Sequence, residues 1–80
     1  MATQANLAEK KRFLSILRQM RLDAGLRQAD LARKLGEPQS FVSKYESGER
    51  RLDVLELRQL CTILGVSLAE FVRQLEGQSR

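Results

Sequence analysis

Apolar residues along this chain recur at helical spacing and are cut into five groups, each closed by a glycine. Phe13, Ile16, Leu17, Met20 and Ala24 form one stripe, and Gly25 follows it as a left-handed stop. Asn6 with Glu9 reads as an N-cap with its glutamate, so the first helix is expected over about 7–24. Leu31, Ala32 and Leu35 mark a second helix over about 28–35, closed by Gly36. "QSFVSKYES" is a third, over about 39–47, entered through Pro38 and closed by Gly48. Asp53 with Glu56 starts a fourth over about 54–64, up to Gly65. Ser67 with Glu70 reads as a full capping box for a fifth over about 68–76, up to Gly77. These agreeing stop and start signals predict an all-α, five-helix domain over about 7–77 behind a loose tail, residues 1–6.

The third segment poses a question of chemistry. At about 100° per residue, Phe41, Val42 and Tyr45 fall on one side of its wheel. Gln39, Ser40, Ser43, Lys44 and Ser47 fall on the other. That second face carries hydrogen-bonding groups and no negative charge. It fits either a solvated helix surface or the major groove of DNA, where Gln pairs with adenine, Lys with guanine or phosphate, and Ser with several edges. Only "GEP" separates this segment from the preceding helix, and Ala29 and Ala32 are small enough for a close helix crossing. A short helix, a tight turn and a second helix make a helix-turn-helix layout.

Composition narrows the alternatives. The chain has 80 residues, 42% hydrophobic and 30% charged, with a formal net charge of +4. That is one small globular domain with a basic balance, which by itself is weak evidence for a nucleic-acid partner. There is no histidine and a single cysteine, Cys61. Neither a metal site nor a nucleophile–base pair is expected, and no catalytic residue is assigned. A lone cysteine excludes an internal disulfide and fits a reducing cytoplasm. No apolar run approaches the ~20 residues of a membrane span.

"LRQADLARKLGEPQSFVSKYESGER" resembles the core of the Xre family, the phage-repressor and Cro-like helix-turn-helix proteins. The resemblance runs from about Leu17 to Leu75 and rests on Gln28, Leu31, Ala32, Gly36, Val42, Ser43, Tyr45, Glu46 and Gly48 in register. It implies a fold of five helices and binding to double-stranded DNA. Gln39, Ser40, Ser43 and Lys44 would then meet base edges or nearby phosphates. Gln28, at the start of the second helix, would bond a phosphate, and Ser47, Arg50 and Arg51 would line the backbone. Phe41 would join the backbone contacts or touch a thymine methyl, with core packing as the alternative. Arg21 and Glu46 would form a partly buried ion pair holding the first helix against the third.

Two positions depart from the family pattern. Arg27 stands where the second helix takes a cap of Ser, Thr or Asn, which opposes the helix dipole unless Asp30 offsets it. A phosphate grip would account for Arg27, as would surface charge alone. Pro38 replaces a capping Ser at the third helix, a weaker cap that still suits a helix start.

The stretch 52–75 is so rich in apolar residues that part of it is expected to pair with a second copy. Leu68, Phe71, Val72 and Leu75 are the expected homodimer interface, with Cys61 a small core or interface residue. The resulting reading is a dimeric, cytoplasmic repressor of bacterial or phage origin, associated with the nucleoid and bound to an inverted repeat. It would need no cofactor, metal, membrane or small-molecule ligand. An antitoxin with a toxin partner, a restriction–modification controller and an interaction module without DNA binding stay open beside it.

Overall fold

The computed structural model describes residues 7–77 and contains five α-helices. The expected cap at Asn6 and the expected tail lie outside the described residues. The helices are α1 (Leu7–Asp23), α2 (Gln28–Leu35), α3 (Gln39–Ser47), α4 (Val54–Leu64) and α5 (Leu68–Leu75).

Each helix contributes its apolar stripe to one shared core. Leu17 and Met20 enter from α1, Leu31 and Ala32 from α2, and Val42 and Tyr45 from α3. Leu60, Cys61 and Leu64 of α4 and Phe71 of α5 complete it. Phe13 of α1 meets Phe71 edge to face, with ring centroids 5.5 Å apart and planes at 86°. Helix α2 packs on α3 and α4, while α1 packs on α3 and α5. Ala32 is buried in the core, so the second helix can cross close to its neighbours.

The turn between α2 and α3 depends on Gly36. Its φ of +72° is left-handed, which glycine alone adopts without a Cβ penalty. That geometry lets Glu37 N–H reach the Ala32 carbonyl at 2.9 Å and Gly36 N–H reach that of Arg33 at 3.1 Å. Three residues, 36–38, join the two helices, and Pro38 enters α3 with φ −65° and no side-chain cap.

Two caps differ in completeness. At α4 the box is reciprocal, with Glu56 N–H donating to Asp53 at 2.7 Å and Asp53 N–H donating to Glu56 at 3.0 Å. At α5 Ser67 accepts from Glu70 N–H at 3.0 Å, but the Glu70 carboxylate turns to Arg73 and Gln74 instead. The full box expected there is therefore half a box, because an arginine one turn along competes for the carboxylate.

The expected dimer residues divide. Phe71 is fully buried in the monomer core, so it cannot also face a second copy, which corrects its assignment. Leu68 and Leu75 are half-buried against that core. Val72 stays 42% exposed. The most exposed apolar pair after residue 50 is Val54 and Leu55, at 63% and 70%.

Candidate nucleic-acid interface

Helix α3 presents the two faces its sequence encodes. Val42 and Tyr45 are fully buried, and Gln39, Ser40, Lys44 and Ser47 are exposed, with Ser43 half-buried at the edge. Lys44 and Arg51 hold no ion pair among the described residues, so both keep uncompensated charge. Ser43 donates to the Ser40 carbonyl at 3.3 Å and Ser47 to the Lys44 carbonyl at 3.0 Å. The bond at Ser43 uses its hydroxyl proton and leaves oxygen lone pairs able to accept from a base amino group. Ser47 also contacts Glu49 at 3.3 Å, which sets a carboxylate beside it.

A polar chain leads from the protein interior to this face. Arg21 Nε donates to Glu46 at 2.7 Å and Arg21 Nη2 at 3.0 Å, a fork of two parallel bonds. A third bond runs from Arg21 Nη1 to the Leu26 carbonyl at 2.8 Å and fixes the α1–α2 connection. Both side chains of the pair are about nine-tenths buried or more, at 7% and 6% exposure. The hydrogen bond to Glu46 raises the Arg21 pKa against the opposing cost of burial. Gln28 at the first position of α2 donates to Glu46 at 3.0 Å and accepts from Gln39 at 3.5 Å. One buried carboxylate thereby ties α1, α2 and α3 together and orients the first side chain of α3.

Arg27 is 79% exposed and forks onto Asp30 at 2.9 and 3.0 Å. Asp30 also accepts from Arg27 N–H at 2.9 Å, so the residue expected to offset the poor cap does so through backbone and side chain together. That pairing holds the Asp30 carboxyl well below the usual carboxylate range. The outward side of Arg27 still faces solvent.

Arg50 and Phe41, both expected on the DNA backbone, make contacts within the protein. The Arg50 guanidinium lies 4.5 Å from the Phe41 ring centroid and forks onto Glu56 at 3.0 and 2.8 Å. Its charge is answered within the protein. Phe41 is half-buried, meets Tyr45 edge to face at 5.8 Å, and carries Arg50 on its own face. Core packing, the alternative left open for Phe41, is what the structure shows. Sequence reasoning also missed Arg12, which donates to the carbonyls of Gln74 at 2.7 Å and Leu75 at 3.3 Å and caps the end of α5. No local signal marks a contact over that separation in the chain. The exposure of Val54 and Leu55 was missed as well, since the expected dimer residues were all placed on α5.

A helix that caps off at a left-handed glycine, followed by a second helix with a buried apolar edge and an outward hydrogen-bonding edge, defines a helix-turn-helix protein. The family profile described as Helix-turn-helix matches residues 17–71. The chain is similar to a solved structure described as an XRE-family like protein from Pseudomonas syringae pv. tomato str. DC3000. The two are 41% identical, with a TM-score of 0.82 over 91% of this chain and 89% of that one. Comparison with curated proteins yields no match. The chain belongs to the Xre family of helix-turn-helix proteins, which are DNA-binding transcription regulators. Among the described residues, no helix is long and apolar enough to cross a membrane.

Proposed function

We propose that this protein is a sequence-specific repressor that binds an inverted repeat in double-stranded DNA as a homodimer in the cytoplasm. The observation that carries the reading is the outward face of α3. Gln39, Ser40 and Lys44 are exposed together, opposite the fully buried Val42 and Tyr45. Gln39, Ser40, Ser43 and Lys44 read base edges, and Arg27, Gln28, Ser47 and Arg51 contact phosphates. No bond is made or broken; repression follows from occupying the promoter.

The exposed apolar side chains of α4 and α5 support the dimer. Val54, Leu55 and Val72 remain open to solvent, and Leu68 and Leu75 are half-covered. A two-fold pairing would set two recognition helices roughly 34 Å apart, one turn of DNA.

The experiment is selection of bound fragments from a random duplex pool at about 150 mM salt. Enrichment of an inverted repeat with half-sites about 10 bp apart is the expected result. Binding without a preferred sequence, fading as salt rises, would refute it and favour a protein-interaction module.

A further inference from the structure

We infer that Arg50 is a positioning residue for the recognition helix and not a contact to DNA phosphate. The inference deepens the DNA-binding reading and rests on it. Arg50 sits in the loop between α3 and α4 and bonds to both. Its backbone N–H donates to the Lys44 carbonyl at 3.2 Å, closing α3. Its guanidinium carbon lies over the Phe41 ring at 4.5 Å. Two of its nitrogens fork onto Glu56 of α4 at 3.0 and 2.8 Å, and Nη1 also donates to the Arg51 carbonyl at 2.8 Å.

The partners of Arg50 are themselves anchored. Phe41 leans edge to face on Tyr45, which is fully buried. The Glu56 oxygen that meets Nη1 also accepts from Asp53 N–H at 3.0 Å and so closes the cap of α4. A continuous stack therefore runs from the core through the recognition helix and Arg50 to the start of α4. Three of the five N–H groups of this guanidinium are taken and its charge is answered by Glu56, so a phosphate gains less from it than from an unpaired cation. Arg51, its chain neighbour, is exposed and holds no ion pair among the described residues, so the loop already has a cation suited to the phosphate.

Arginine is the residue this role requires. A flat guanidinium can lie on a ring and still give two parallel bonds to one carboxylate, and a lysine ammonium cannot. A phosphate contact tolerates lysine, because a point charge is enough. That difference separates the two roles.

The test measures binding of the enriched duplex across a salt series for the wild type and for Arg50→Ala, Arg50→Lys, Arg51→Ala, Glu56→Gln and Phe41→Leu. Unfolding of the same free proteins is followed in parallel. Arg50→Ala and Arg50→Lys should lose affinity alike, by about tenfold, with the dependence of log K on log salt unchanged. Glu56→Gln and Phe41→Leu should reproduce that loss, and Arg51→Ala should lower the slope by about 0.9. Full affinity in Arg50→Lys, or a lowered slope in Arg50→Ala, would overturn the assignment. In the free protein, Arg50→Ala and Glu56→Gln should be non-additive in unfolding; additive effects would show that no clamp exists. If the wild type selects no sequence, the DNA-binding reading fails and the positioning role with it, while the unfolding cycle still reports on the clamp alone.

Discussion

Arg21 of α1 and Glu46 of α3 meet through two bonds of 2.7 and 3.0 Å, with both side chains almost wholly removed from solvent. A buried pair is costly to break from one side, because the remaining charge keeps its desolvation penalty without its partner. Glu46→Gln should therefore destabilise the domain by about 3 kcal/mol, measured by urea unfolding. Replacing both partners with apolar residues of similar volume should cost much less. A single substitution costing under about 1 kcal/mol would mean that water reaches the pair.

Gln39 and Lys44 are exposed and support no core contact. The double variant Gln39→Ala, Lys44→Ala should keep the helical content and stay within about 1 kcal/mol of wild-type stability. Its preference for the selected duplex over random DNA should disappear. Retained selectivity would remove α3 as the reading element.

Leu55 is the most exposed large apolar side chain of the protein's described residues. Leu55→Glu should leave thermal unfolding of the monomer nearly unchanged and weaken self-association. Sedimentation at micromolar concentration should show a dimer for the wild type and a monomer for the variant. A wild type that sediments as a monomer, free and on DNA, would refute the dimer.

Stability should fall at both ends of the pH scale, for opposite reasons. Asp30, Glu56 and Glu70 have pKa values lowered by hydrogen bonds from Arg27, Arg50 and Arg73 respectively. The unfolded chain binds more protons there, so their contribution is full above about pH 4.5 and is lost as pH falls through the folded values. The loss should be modest and should shrink with added salt, because these pairs are partly exposed. Burial raises the pKa of Tyr45, with the Glu46 charge adding to it, and burial alone raises that of Cys61. Both groups fold in the neutral form, so their stabilisation is complete below the unfolded values, about 8.5 for the thiol and 10 for the phenol, and fades above them.

Among the described residues, the Tyr45 hydroxyl is buried without a hydrogen-bond partner. Tyr45→Phe should therefore be neutral or stabilising by about 1 kcal/mol, since it removes a desolvated polar atom. It should also flatten the alkaline limb measured by thermal unfolding against pH. A loss of more than about 2 kcal/mol would reveal a water or other partner on that hydroxyl.

The helices were readable residue by residue because their signals are local. Gly25, Gly36, Gly48, Gly65 and Gly77 all stand at positive φ next to a helix end, and apart from the exposed Ala24 the apolar stripes sit in the core or against it. The polar edge of α3 was readable for the same reason, since a wheel needs only neighbours three and four positions away. Charge pairing is different, because it depends on which side chains meet across the fold. Arg50 and Arg51 are adjacent and chemically alike, yet one is stacked on Phe41 and forked by Glu56 while the other is left open to solvent. Phe71 and Val72 are likewise adjacent and apolar, and α5 turns one into the core and the other out. Local pattern sets where a helix begins, ends and shows its greasy edge; which cation stays free for a partner is settled by three-dimensional neighbours, because a charge is answered by whatever lies within a few ångströms, however far away in the chain.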